Sequence, residues 1–168
     1  MKIRDKEYNI ATKSSFVVIS YLVTVLSIQL VAPDVEISPG EFPDSCPKDS
    51  GNCAMIGPHT YRANNLTELR FDSKLSVVMH EANKWIESKP RSEIIGKWDN
   101  QTHAVFQTMV MRFPDDLVIS GSCNNGDAVI FVYSKSRVGI SDLGVNSDRL
   151  SDFSEYMSSI EMPTSDCS

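Results

Sequence analysis

The hydrophobic pattern of the chain begins with an uncharged, largely apolar run at residues 16–32. As a helix this run would be roughly 26 Å long, close to the hydrocarbon thickness of a bilayer. Basic residues precede it and acidic residues follow it, which favours a cytoplasmic N-terminus. The pattern therefore predicts a cytoplasmic basic flank at 1–15 and a signal anchor or transmembrane helix at 16–32, with the rest of the chain extracytoplasmic or lumenal.

Two alternatives remain for this run. A signal peptide has a similar basic start, so cleavage would release a secreted protein instead of a single-pass membrane protein. A core helix is the other alternative, but no polar face interrupts the run.

The apolar run is followed by a proline-rich segment at residues 33–52, with Pro33, Pro39, Pro43 and Pro47. Proline removes a backbone donor and fixes φ, which disfavours both a helix and a central strand. The segment is predicted to be an extended spacer between the membrane and a globular domain at 53–168.

Periodic patterns in the rest of the chain predict two helices and four strands. Apolar residues recur at spacings of three and four along two stretches, residues 74–89 and 150–160. Short apolar runs predict strands at residues 93–98, 102–113, 117–122 and 127–133. Asn124-Asn125-Gly126 is a hairpin turn between the last two, and tight hairpins join antiparallel strands. The domain is predicted to be α+β, with an antiparallel four-stranded sheet flanked by two helices.

Polar and charged residues are concentrated between the fourth strand and the second helix. Gly139 and Gly144 permit positive φ, and Asn146 suits the N-cap of the helix. Arginines near a helix N-terminus would attract an anion such as a carboxylate, phosphate or sulfate. The candidate ligand-binding residues are Ser134, Ser136, Arg137, Asp142, Asn146 and Arg149. The alternative is that Arg137 pairs with Asp142 only to hold the loop.

Three stretches resemble a known family, domain of unknown function family 1499. They are SKSRVGISDLGVNSDR at 134–149, CPKDSGNC at 46–53 and FPDD at 113–116, and they occur in the family's order over about residues 44–155. The family has no established activity. The resemblance therefore implies a fold and a location more than a reaction.

Four cysteines in a chain that enters an extracytoplasmic space are able to form disulfides. Cys46 and Cys53 are predicted to pair, and Cys123 with Cys167 is the other candidate, although the connectivity is open. A metal site is the alternative. The C-x₆-C spacing without a second close pair or nearby histidines is a weak zinc signal, so no metal is predicted.

Composition and motifs limit the chemistry. The formal net charge is −6 and no basic run occurs, which argues against a nucleic-acid partner. No Gly-rich phosphate loop and no H-E-x-x-H motif is present, so no cofactor is predicted. Asp115 and Asp116 are expected in a turn after Phe113, with a cation site shared with Asp142 as the alternative.

Two functions from different classes follow. The favoured one is a non-catalytic binding or assembly module, tethered to the membrane by its N-terminal helix, whose partner is an unknown anionic small molecule or a protein. The alternative is a small serine-type hydrolase that uses Ser136 or Ser134 with His103. That enzyme requires a serine oxygen within hydrogen-bond reach of a His103 nitrogen.

Overall fold

The computed structural model describes residues 2–168, with the side chains of residues 12–168. The basic flank predicted at 1–15 therefore lies largely outside the described side chains. In chain order the elements are α1 (Lys2–Val31), β1 (Cys53–Ile56), β2 (Leu69–Phe71), α2 (Leu75–Ser88), β3 (Ser92–Lys97), β4 (Gln101–Gln107), β5 (Pro114–Asn124), β6 (Asp127–Ser136) and α3 (Val145–Ser159).

Helix α1 contains the apolar run and is exposed along it. Its segment Thr12–Val31 has a mean hydropathy of 2.0 and is 6% buried, and its 20 residues make it long enough to cross a membrane. The apolar N-terminal helix is thus confirmed. Two of its described side chains donate hydrogen bonds to the domain: the Tyr21 hydroxyl donates to the Val110 carbonyl at 2.8 Å, and Gln29 Nε2 donates to the Arg112 carbonyl at 2.5 Å.

The six strands form one antiparallel sheet in the order β1-β6-β5-β4-β3, and β2 pairs with β6 beyond β1 along the same edge. The α+β class and the antiparallel sheet with two flanking helices are confirmed, but the predicted number of four strands is wrong. The two strands that the pattern missed have four and three residues. Alternation cannot be recognised over so few positions, and all four residues of β1 are buried.

One face of the sheet packs against α2 and α3. Trp85 of α2 meets Phe153 of α3 edge to face, with the ring centroids 5.1 Å apart, and both side chains are fully buried. Below them lie Leu117, Ile119 and other apolar residues of the central strands. Burial of each such side chain contributes about 1.5–3 kcal/mol, so this face holds most of the stabilising apolar contact.

The other face is covered by the proline-rich segment. Residues 33–50 contain no helix or strand, but they are not a free spacer between membrane and domain, and that prediction is corrected. Gln101 of β4 accepts a bond from the Gly40 amide at 2.6 Å and donates to the Glu41 carbonyl at 3.0 Å, while Phe42 packs against Phe131. Side-chain bonds from the sheet replace the ladder bonds that prolines cannot make.

Both candidate disulfides are formed. Cys46–Cys53 fastens the proline-rich segment to β1, and Cys123–Cys167 fastens the C-terminal tail to the end of β5. The described residues include no free cysteine.

The second predicted strand is too long. β4 ends at Gln107, and residues 108–113 form a loop closed by Thr108, which donates its amide to the Phe113 carbonyl at 3.0 Å and accepts the Phe113 amide on its hydroxyl at 2.9 Å. The next strand begins at Pro114, so Asp115 and Asp116 lie in β5 and not in a turn. Both side chains are buried, and the candidate site is built around the ion pairs that they form.

Candidate functional site

Asp115 and Asp116 point to opposite faces of the sheet because successive side chains in a strand alternate. Asp116 lies on the face covered by the proline-rich segment. Its carboxylate accepts bonds from Arg137 Nε and Nη2, both at 2.9 Å, and its Oδ1 lies 2.7 Å from His103 Nε2. Bidentate arginine contacts of this kind are among the stronger ion pairs in proteins.

The Asp116 environment shifts its titration. Burial by itself would raise the pKa of this carboxyl, but the hydrogen bonds from His103 and Arg137 outweigh it, so the pKa is held below its ordinary value. The same carboxylate, with burial as the larger cause, raises the pKa of Tyr133 to about 12. Asp116 is therefore an anion, and Tyr133 neutral, at physiological pH.

Asp115 faces the helices and pairs with Arg149. Arg149 Nη2 lies 2.7 Å from Asp115 Oδ2, and Nη1 donates to Ser134 Oγ at 2.7 Å and to Asn146 Oδ1 at 2.6 Å. The guanidinium also lies over the Phe106 ring, 4.7 Å from its centroid. The arginine is thus held by charge, hydrogen bonds and a cation–π contact together.

Asn146 connects the loop to the sheet and is not the N-cap that the pattern predicted. The N-cap of α3 is Gly144, with φ of 92°, and Asn146 is fully buried in the first turn. Its Nδ2 lies within hydrogen-bond distance of Asp142 Oδ2 at 2.7 Å, the Asn52 carbonyl at 3.1 Å and Ser136 Oγ at 3.1 Å. Gly144 rather than Asn146 takes the cap because only glycine enters the left-handed region without cost.

Asp142 organises the start of α3. It accepts the amides of Gly144 and Asn146, each at 3.0 Å, and pairs with Arg62 Nη2 at 3.0 Å. Burial would raise its pKa, but these bonds lower it overall. The alternative in which Arg137 pairs with Asp142 is therefore wrong: Arg137 pairs with Asp116, and Asp142 pairs with Arg62.

The sheet separates the components of the serine hydrolase alternative. His103 shares a face with its strand neighbours Val118 and Tyr133, whereas Ser134 is aligned with Leu117 on the face covered by the helices. Ser136 lies on that same helix face, since it is two residues from Ser134. The proposed use of Ser134 or Ser136 with His103 is corrected, because both hydroxyls contact Asn146 and His103 contacts Asp116.

Two cavities flank the Asp115–Arg149 pair. One, here called the loop cavity, has a volume of about 330 Å³ and lies between the 108–113 loop and the 137–144 loop, with Asp115 in its lining. The other, the helix cavity, has a volume of about 440 Å³ and lies between the ends of α2 and α3, with Arg149 and Trp85 in its lining. Asp115 Oδ1 and Trp85 Nε1 are buried without a hydrogen-bond partner among the described residues.

Five of the six predicted binding residues come together on the helix face. Ser134, Asn146 and Arg149 contact one another directly, and Ser136 and Asp142 join through Asn146. Arg137 lies on the other face with Asp116. Within the described part of the chain, no three His, Cys, Asp or Glu side chains are grouped so that they could hold a metal ion, and Asp115, Asp116 and Asp142 do not gather into a cation site.

The pattern missed four residues of this network: Asp115 and Asp116 as buried strand residues, and Asn52 and Arg62 as partners from the N-terminal part of the domain. A signal for the aspartates exists. Continuing the two-residue alternation backward from Leu117 puts Asp115 at a core position.

Two of the motifs that resemble DUF1499, residues 113–116 and 134–149, supply most of the residues in the hydrogen-bond and ion-pair network. The family model of DUF1499, described as a protein of unknown function, matches residues 38–157. The chain belongs to the DUF1499 family. In this DUF1499 protein the match extends from the segment that covers the second face of the sheet into α3. No curated protein and no solved structure matches the chain.

Proposed function

We propose that this DUF1499 protein is a non-catalytic binding module, tethered to the membrane by α1 and folded on its extracytoplasmic side. The apolar helix and the two disulfides support that location, because disulfides persist in oxidising compartments. The site chemistry supports a binding role. Ser134 and Ser136 are bonded to Asn146 and His103 is bonded to Asp116, so neither of these two serines has His103 as a base.

The loop cavity is the proposed ligand site, and the unpartnered Asp115 oxygen is the observation that carries the proposal. A buried carboxylate oxygen without a donor is costly, so a ligand that supplies a donor would gain by reaching it. The lining also contains Asp142 but no lysine or arginine, while Val138 and Phe113 are among its apolar residues. The ligand class that fits has an ammonium or hydroxyl head and a short apolar body.

An anionic ligand, the partner class predicted from the arginines, has the helix cavity as its candidate site. Arg137 and Arg149 are each neutralised by a buried aspartate, which lowers their attraction for an anion. The helix cavity is lined by Arg149, Lys89 and Trp85, whose Nε1 donor is unpartnered among the described residues. Asp148 and Asp152 line it too, and Asp152 pairs with Lys89. The second candidate ligand has an anionic head group, whereas the first has an ammonium or hydroxyl head group. One set of probes that differ only in the head group therefore tests both.

The test uses three probes with the same six-carbon chain: hexylamine, hexan-1-ol and hexanoate, added to the detergent-solubilised full chain. At about ten times its dissociation constant a probe stabilises the protein by about 1.4 kcal/mol. The melting temperature then rises by about 3–6 °C. We expect hexylamine and hexan-1-ol to produce the rise and hexanoate to leave the melting temperature unchanged. A rise with hexanoate alone supports the anionic ligand, and no rise with any probe rejects both sites.

A matched pair of variants locates the probe. Val138→Trp fills the loop cavity and should abolish the rise with hexylamine. Ile140→Trp adds the same side chain two residues away at a position that is 93% exposed, and it should keep the rise. A rise that survives in both variants would place the amine outside the loop cavity.

The tether has its own test. If α1 is an uncleaved anchor, the full-length protein should stay in the membrane pellet after alkaline carbonate extraction, because its apolar helix has no polar face to stabilise it in water. An intact-mass measurement of the pelleted protein serves as the control. Quantitative extraction, together with a mass that lacks the N-terminal segment, would support the cleaved and secreted alternative. A protein partner stays a prediction that co-purification from membranes would test.

A further inference from the structure

The end of the domain next to α1 is unusually apolar on its surface. Outside α1, the most exposed large apolar side chains that the structure describes are Met109, Val110, Ile140 and Leu143, with exposures of 71%, 58%, 93% and 95%. They lie in the loops that precede β5 and follow β6. These loops are at the same end of the sheet because Asp115 pairs with Ser136. Clustered apolar exposure of this kind marks an interaction surface.

The opposite end of the sheet differs in character. There the turn before β4 and the β5–β6 hairpin present exposed polar residues, including Asn100, Asn124 and Asn125. The two ends are separated by the length of β5, which is 11 residues, or about 36 Å. The apolar surface is therefore specific to the end that carries α1.

Helix α1 contacts the same apolar loop through its polar side chains. Tyr21 and Gln29 donate to the carbonyls of Val110 and Arg112, so the helix satisfies backbone groups at the tip of the loop. Unsatisfied backbone groups are not tolerated in hydrocarbon, but groups bonded to a neighbouring helix are. The polar residues Thr24 and Ser27 bond carbonyls of α1 itself.

We propose that the 108–113 loop and the apolar tips of the 137–144 loop insert into the outer leaflet of the bilayer around α1. The inference rests on the proposed anchor role of α1. Tyr21 and Gln29 are eight residues apart, which is about 12 Å along a helix. The loop therefore runs beside a segment of α1 that the bilayer would enclose.

Insertion also explains the position of the loop cavity. Its lining includes Met109, Val110 and Leu143, three of the four exposed apolar side chains, so its mouth would open at the leaflet. An amphiphile with a donor head could then enter from the lipid without crossing water.

Spin-label accessibility of the full chain in phosphatidylcholine vesicles tests the proposal. The native cysteines of the described chain are all in disulfides, so a nitroxide reagent should label only an added cysteine. Val110→Cys and Leu143→Cys report on the apolar end, and Asn125→Cys is the matched control at the polar end. We expect the labels at 110 and 143 to be more accessible to oxygen than to a water-soluble nickel chelate, and the label at 125 to show the reverse.

Two results would overturn the insertion. Labels at 110 and 143 as accessible to nickel as the label at 125 would place this end in water. Labels shielded from both reagents would place it against a second copy or another protein. Failure of the anchor is recognised separately, because the protein would then not float with the vesicles.

Discussion

Replacing Asp116 with alanine is expected to lower the free energy of unfolding by about 3–5 kcal/mol, because it leaves the buried Arg137 charge with only the exposed Asp34 carboxylate, 3.4 Å away, as a partner. The Arg137 side chain is 9% exposed, and two of its nitrogens are bonded to Asp116, which also accepts the His103 contact. Urea unfolding of the purified protein measures the change.

Two further variants make this result specific. Asp99→Ala removes an exposed carboxylate from a turn and should cost under about 0.5 kcal/mol. Combining Asp116→Ala with Arg137→Met should recover part of the loss, since neither charge is then buried alone. Equal losses for Asp99→Ala and Asp116→Ala would contradict the ion pair.

The acid side of the stability curve is a second readout of the same pair. The folded-state pKa of Asp116 is depressed, so its contribution is present above the unfolded-state pKa and is lost as the pH falls through the folded value. The unmodified protein should lose this contribution below the ordinary range of an aspartate. The Asp116→Ala variant should show a correspondingly shallower acid loss, and an unchanged acid profile would contradict the depressed pKa.

Removing the Cys123–Cys167 bridge is expected to cost about 4 kcal/mol, because the cysteines are 44 residues apart and the bridge restricts a long loop in the unfolded chain. The bridge also positions the tail, whose Cys167 carbonyl accepts the Leu75 amide at the start of α2 at 3.1 Å. The measurement is urea unfolding of the double variant Cys123→Ala with Cys167→Ala.

The shorter bridge is the matched comparison. Cys46 and Cys53 are separated by only 7 residues, and the same loop-entropy relation gives about 2.5 kcal/mol for the double variant Cys46→Ala with Cys53→Ala. If the short bridge proves the more stabilising of the two, then contacts of the proline-rich segment in the folded state, rather than loop entropy, dominate.

Much of the architecture was determined by local pattern. The apolar run, the helix stripe that ends before Pro90 and the Asn125-Gly126 hairpin each depend on a short-range preference, and each is found in the structure. Motif resemblance identified the family over almost the same residues that its model matches. The hydrophobic pattern did not locate the end of β4 or the start of β5, because loop residues such as Met109 are as apolar as strand residues.

Ion-pair partners were decided only by the tertiary structure. The alternative considered from the sequence paired Arg137 with Asp142, five positions away, because polar residues between elements most often serve turns and caps. Folding instead buries Asp115 and Asp116 in a central strand, where each charge requires a partner within hydrogen-bond reach. Arg149 pairs with Asp115 and Arg137 pairs with Asp116, on opposite faces of the sheet. Asp142 pairs with Arg62 instead. Which arginine reaches which carboxylate depends on strand register and burial, and these exist only once the sheet has formed.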